Sequence, residues 1–444
     1  MAAQGSILGN AVTRKEDPGL LTGSNHYVDD LDIDAARIVF VRSTMAHASL
    51  LEVDISEAVN MPGVLAVYTS DNLEMPAVNQ SEFMDPSMNR PPLAVGRVRF
   101  VGDIIAAIVA ESHSQAVDAA EQVIVDYDPL PANADIEAAL ADDAHILWEG
   151  AENNVCFAIG NEYDGPDVTE GADTVVSERI VTQRLAGVPM ESNGCVAIPE
   201  GDSMTFYAST QAAHGLRDGL APTLGLEPDN LRVIAPWVGG GFGPKAGLYI
   251  EFILCGKAAQ ELARPVRWTE QRGENMLSMA QGRAMVMTAD LGVNNDGSIV
   301  GLKARVVADA GAYPAIGAIL PMLTMQLSQA VYDIPAIDFF AQSVLTNTTV
   351  IGAYRGAGRP EATQMVERIL DKAAHAIGMD PAELRRKNYI QPDAFPLTTL
   401  VGANYDSGEY ERSLDAVLEA SGYADLRAEQ ARRREANDPM MLGI

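Results

Sequence analysis

The run VIAPWVGGGFGPKAGLYIE, Val233 to Glu251, constrains the fold more than any other stretch of the chain. A β-rich apolar segment enters three consecutive glycines, and a strongly apolar segment of helical composition follows. Glycine loses more backbone freedom on folding than any other residue, so such a density implies a sharp bend or a close approach to another group. Free N–H groups in the loop, with the positive end of a following helix, would favour an anion such as phosphate. A tight turn needed only for packing is the competing explanation. Gly241, Gly243 and Ala246 also fit the GxGxxA pattern of dinucleotide-binding folds, with Glu270 beyond the next strand. The chain then enters a long hairpin turned at Asn295 to Gly297, whereas a dinucleotide fold would continue strand–helix alternation. Lys245 is followed by alanine, which excludes a P-loop.

Around this run the pattern is α+β, one crossover unit mixed with antiparallel hairpins. The first 135 residues read as strands near Phe40 and Val53, a strand at GVLAVYTSDNL, then strand, helix and strand from Ile104 to Tyr127. Prolines and an acidic run then break the pattern, so 136–175 is expected as a linker and 176–395 as a second unit. No repeat of solenoid period occurs.

Two further stretches carry chemistry. In IGAYRGAGRPEATQMVERIL, Ile351 to Leu370, Gly352, Gly356 and Gly358 free the backbone while Arg355 and Arg359 offer guanidinium forks. A helix begins at Pro360 with Met365, Ile369, Ala373 and Ile377 on one stripe. Arg359 could instead pair with Glu361, so Arg355 is the better ligand-facing candidate. In YASTQAAHG, Gln211 lies just past a strand end, where its amide can both donate and accept.

Composition narrows the partners. The formal charge is −30 and the isoelectric point about 4.4, which disfavours nucleic acid or an anionic membrane surface. No apolar run reaches membrane-spanning length, and the N-terminus lacks an export leader, so a cytoplasmic protein is expected. Cys156, Cys195 and Cys255 form no CxxC pair, and no two of the six histidines are near enough in sequence to suggest a metal site.

Taken together, these motifs resemble the large, molybdenum-binding subunit of the xanthine dehydrogenase and aldehyde oxidase family, especially its carbon monoxide dehydrogenase-like branch. RKEDPGLLTGSNHYVDDL, MAHASLLEVDISEAVNMPGVLAVYTSDNL and RFVGDIIAAIVAESHSQAVDAAEQVIVDYDPLPA look like the family's N-terminal α/β hammerhead domain, placed at 1–135. STQAAHGLRDGLA, VGGGFGPK and GAYRGAGRPEAT look like the first part of its mixed α/β molybdopterin-binding domain, placed at 176–395. The rest, 396–444, looks like the start of an incomplete second half.

The resemblance implies a molybdopterin cofactor carrying molybdenum, in the cytosine dinucleotide form common in bacteria. By motif match, Gln211 approaches the metal centre, Gly240, Gly241, Phe242 and Gly243 line it, and Arg355 with Gly356 belongs to the active-site loop. No protein side chain is expected as a metal ligand. The implied reaction is oxidation of a small molecule with water as the oxygen source. Electrons would leave through a 2Fe-2S small subunit and an FAD medium subunit. Gly356 stands where copper-dependent carbon monoxide dehydrogenases carry cysteine, so a heteroaromatic or aldehyde substrate is expected. PMESNGCVA also departs from the family, with Ser192 and Asn193 after the glutamate. The general-base glutamate has no family-type match here and is expected on a chain supplying the C-terminal half. On this reading the isolated chain binds cofactor poorly and does not turn over; a catalytically incomplete fragment or assembly subunit is the alternative.

Overall fold

The computed structural model describes residues 9–79, 81–161 and 163–444. The first eight residues, where an export leader would begin, lie outside the described residues. Two large sheets organise the rest. The first has seven strands, in the order Leu231–Ile234, Ser203–Ala208, Gly194–Glu200, Val266–Thr269, Ala36–Arg42, Ile104–Ala110, Val64–Thr69. The second has five, in the order Val155–Gly160, Ile337–Leu345, Ile299–Gly311, Met285–Val293, Thr174–Thr182.

Sequence alternation explains the first sheet. Ile104–Ala110 is apolar at every position and buried at every position, as expected for a central strand covered on both faces. Successive side chains point to opposite faces. Ala107 and Val109 therefore join the core shared with Ile250–Leu262, while Ala106, Ile108 and Ala110 meet Ala116 and Ala119 of helix His113–Ala120. Ser112 caps that helix by accepting a hydrogen bond from the Gln115 amide.

The first sheet crosses the two units read from sequence. Strand Ala36–Arg42 pairs in parallel with Val266–Thr269, aligning Ala36 with Val266 and Arg37 with Arg267. Arg42, on the same strand, reaches Glu251 at 2.9 Å and Glu274 at 3.1 Å. Strands from both sides of residue 135 thus share one sheet. The stretch 136–175, expected as a linker, contains Val155–Gly160, which pairs with Ile337–Leu345 at one edge of the second sheet. Prolines and acidic residues pointed to a linker, but Leu147 and Trp148 are buried there and the Trp148 indole N–H donates to Ala312 O.

The long hairpin is present as Met285–Val293 and Ile299–Gly311, with Gly297 at φ +87° in the turn. Helix Arg359–Ile377 lays Met365, Ile369 and Ala373 on this sheet. Among the described residues no helix is long and apolar enough to cross a membrane.

Candidate functional site

Three segments far apart in sequence meet where the expected site residues lie. The Gly243 amide donates to Gln211 Oε1 at 2.8 Å, and the Arg355 amide donates to Phe242 O at 2.8 Å. The glycine loop therefore sits between the segments of Gln211 and Arg355. Three of its residues have positive φ, with Gly240 at +101°, Phe242 at +55° and Gly243 at +105°. A left-handed conformation at a bulky residue such as Phe242 is strained and persists only where the surroundings impose it. Gly243 has no substitute, because a Cβ there would lie 2.4 Å from Ala353 O. At Gly241 a Cβ would lie 2.5 Å from Gln211 Oε1.

One expectation about this loop is corrected. The helix after the glycines does not open at them: Pro244–Ala246 forms a short 3-10 turn, and the helix spans Ile250–Leu262. Its positive end is too far along the chain to serve an anion at the loop, since that effect fades within one turn. Anion affinity must come from the loop amides themselves. Among the described residues, the N–H groups of Gly240, Gly241 and Phe242 have no hydrogen-bond acceptor.

The side chains supply the same polarity. Gln211 Oε1 is taken by the Gly243 amide, which leaves its NH2 as the free end. Arg355 is exposed, and among the described residues its guanidinium has no hydrogen bond or ion pair. Arg359 does not pair with Glu361; it donates to Gly356 O at 3.1 Å, while Glu361 takes Arg283 at 3.3 Å. Donors without acceptors thus dominate the surface shared by Gln211, the glycine loop and Arg355.

Buried groups that the sequence did not single out brace both loops. Under the glycine loop, the fully buried Lys245 ammonium donates to Glu191 O, Glu191 Oε2 and Ser209 Oγ at 2.9, 3.0 and 2.7 Å. Burial lowers its pKa, and the Glu191 carboxylate opposes that. Glu191 Oε2 also accepts from the Gly239 amide at 2.7 Å. Under the arginine loop, Arg283 donates to Tyr354 O at 3.1 Å and Arg355 O at 2.6 Å, with its guanidinium 4.8 Å from the Tyr354 ring centre. Lys245 could have been noticed: it is one of six lysines and adjoins the motif. Arg283 carries no local signal.

Glu270, the acidic candidate of the dinucleotide reading, is buried and accepts from the Asn193 amide and from Asn275 Nδ2, each at 2.7 Å. Burial pushes its carboxyl up to about 7. It is closed off by protein groups and cannot meet a ribose, so that reading fails. His47 and His145, far apart in sequence, bring their ring centres within 5.1 Å. Arg97 and Arg99 add positive charge beside them, and among the described residues no group of three or more His, Cys, Asp or Glu could hold a metal.

This donor-rich surface fits an anionic group approached by backbone amides, an amide side chain and one free guanidinium. Residues 147–389 match the molybdopterin cofactor-binding domain, and residues 22–131 match the α/β hammerhead domain of aldehyde oxidase and xanthine dehydrogenase. The carbon monoxide dehydrogenase large chain of Hydrogenophaga pseudoflava is 35% identical, over 97% of this chain and 56% of that protein. The nicotine 6-hydroxylase large subunit of Paenarthrobacter nicotinovorans is 32% identical, over 99% of this chain and 55% of that protein. The carbon monoxide dehydrogenase structure from Oligotropha carboxidovorans superposes with a TM-score of 0.90 at 33% identity, covering 96% of this chain and 56% of that one. The chain thus spans about half the length of the curated relatives it matches. With a hammerhead domain followed by a molybdopterin-binding domain, the chain belongs to the molybdenum-binding subunits of the xanthine dehydrogenase, aldehyde oxidase and carbon monoxide dehydrogenase family.

Proposed function

We propose that the chain forms the hammerhead and first cofactor-binding half of a cytoplasmic molybdenum hydroxylase or dehydrogenase that oxidises a heteroaromatic or aldehyde substrate with water as the oxygen source. The observation that carries this reading is the donor surface: three free loop amides, the Gln211 NH2 and the unpaired Arg355 guanidinium within one bonded cluster. In a chain of charge −30, where Arg184, Arg283 and Arg305 each reach a carboxylate, an unpaired guanidinium beside free amides calls for an external anion. Gln211 and Gly240 to Gly243 would line the molybdenum–pterin group, in its cytosine dinucleotide form, and Arg355 with Gly356 would close its other side. When bound, that group supplies activated water oxygen and accepts the two electrons.

The residues of the chain do the holding. Gln211 presents N–H donors because the Gly243 amide occupies its carbonyl. Arg355 offers a permanent cation whose charge no local carboxylate cancels. Gly356 has no thiol, which disfavours a copper route to carbon monoxide oxidation. The relative named for nicotine supports an N-heteroaromatic substrate. A general-base glutamate would come from a chain carrying the second half, and electrons would pass to 2Fe-2S and FAD subunits.

The test is affinity purification of the full chain from its source, with molybdenum, iron and flavin analysis and dye-linked oxidation of pyridine and aldehyde substrates. The co-purified assembly should contain all three and turn over, while the chain alone should not. An assembly without molybdenum defeats the reading. Substantial turnover by the chain alone defeats the requirement for a second half.

A further inference from the structure

Between the glycine loop and the arginine loop lies a cavity of about 330 Å³. Gly243, Ala246 and Ala353 form its loop side, while Ala315, Ile316 and Val350 give it an apolar wall. Its hydroxyl from Tyr249 is already committed, donating to Pro244 O at 2.9 Å and accepting from the Ala280 amide at 3.3 Å. Among the described residues one charged side chain lines it, Arg90, brought from the N-terminal unit.

Arg90 is held in an unusual way. It is 7% exposed, its Nε has no hydrogen-bond partner, and its carboxylate contact among the described residues is Asp103 at 3.6 Å. Asp103 offers Arg90 its Oδ1, while its Oδ2 accepts from the Tyr313 hydroxyl at 2.8 Å and from the Arg99 amide at 3.2 Å. Aromatic rings also position Arg90, with Phe100 at 5.4 Å and Tyr313 at 5.1 Å from its guanidinium carbon. Contact with ring faces steadies a guanidinium while leaving its N–H edge free. Arg99 adds a second cation against the Tyr313 ring at 5.9 Å. Arg90 and Arg99 both act on the one carboxylate of Asp103, so this cluster behind the wall carries net positive charge whatever the protonation of Asp103.

We propose that this cavity is a substrate pocket in which Arg90 anchors a small, otherwise apolar molecule by its carboxylate. The proposal rests on the functional reading above for the reaction, but not for the binding. A carboxylate can take two donors of a guanidinium side by side, whereas a neutral ring leaves them unsatisfied in an apolar wall. The volume suits a one- or two-ring acid. Arg90 is then a specificity-determining residue that the hammerhead domain contributes to chemistry held by the second unit.

Calorimetric titration of the full chain with benzoate and with its neutral isostere benzamide tests this. Wild type should bind benzoate at least tenfold more tightly. R90Q should abolish that preference, and A246W should weaken both ligands by filling the mouth. Removing Arg90 strips Asp103 of its cation and can unfold the chain, so R90Q/D103N is titrated beside it and decides the matter if the single variant does not fold. Equal affinity of wild type for the two ligands, or a preference kept without Arg90, overturns the anchor. Molybdenum is measured on the same samples in the purified assembly. A carboxylate preference in molybdenum-free assembly upholds the anchor while the functional reading fails; molybdenum-loaded assembly without the preference sinks the anchor alone.

Discussion

Under the glycine loop the cation is the buried Lys245; under the arginine loop it is the half-buried Arg283. Both donate to backbone carbonyls and to one carboxylate, Glu191 in the first case and Glu361 in the second. They differ in what the loop then presents. The glycine loop offers neutral donors, its amides and the Gln211 NH2, and no charge. The arginine loop offers a whole unpaired cation, Arg355. Under these two loops charge is divided by depth: Lys245 and Arg283 are committed to carbonyls and carboxylates of the chain, while the exposed Arg355 guanidinium has no partner among the described residues. A second difference is acidity, because the glycine side also rests on Glu270, whose carboxyl is pushed up to about 7, and the arginine side has no such group among the described residues.

The largest effect should come from Lys245→Met. Removing one partner of a buried pair leaves the other uncompensated, so the variant should lose about 4 kcal/mol in denaturant unfolding, more than any change on the arginine side. A loss below that of the Arg283 variant would reverse the comparison. Glu270→Gln should act with the opposite sign and only at higher pH. The folded carboxyl holds its proton more tightly than the unfolded one, so wild type has this contribution in full below about pH 4.5 and loses it as pH rises through about 7. The variant, neutral throughout, should match wild type near pH 4.5 and gain on the order of 3 kcal/mol by pH 8. A pH-independent difference would remove Glu270 from the account.

Arg283→Gln should cost about 2 kcal/mol, since it loses charged hydrogen bonds to Tyr354 O and Arg355 O at a partly open position. Arg355→Gln should change stability by less than about 0.5 kcal/mol, because among the described residues the guanidinium makes no hydrogen bond or ion pair. It should still lower the molybdenum content of the purified assembly at least tenfold. Full molybdenum retention with unchanged stability would show that the free cation serves nothing, and the division by depth would lose its meaning.

The loops were legible because local chemistry dictates them. A run of three glycines, a proline at a helix start and a lone Gln past a strand end each limit backbone or hydrogen-bond options within a few residues. The strand Ile104–Ala110 announced its burial on both faces by lacking any polar residue. Where local signals misled, long-range contact won. The acidic stretch 136–175, following Pro129 and Pro131, reads as a linker, yet Val155–Gly160 finds an edge to pair with. The helix expected to open at the glycines starts at Ile250, after a 3-10 turn in which Pro244 and Lys245 are buried.

The amino-acid order by itself determined which backbone segments could bend sharply, which strands would be covered, and the family to which the motifs point. Only the tertiary structure decided which cations would be buried and which left free, since Lys245 and Glu191, Arg283 and Arg355, and Arg90 and Tyr313 are each brought together from distant positions. A cationic side chain carries the same charge in every one of these places. Its neighbours, set by how two sheets pack, fix whether it braces a loop, rests against aromatic rings or is left without a partner.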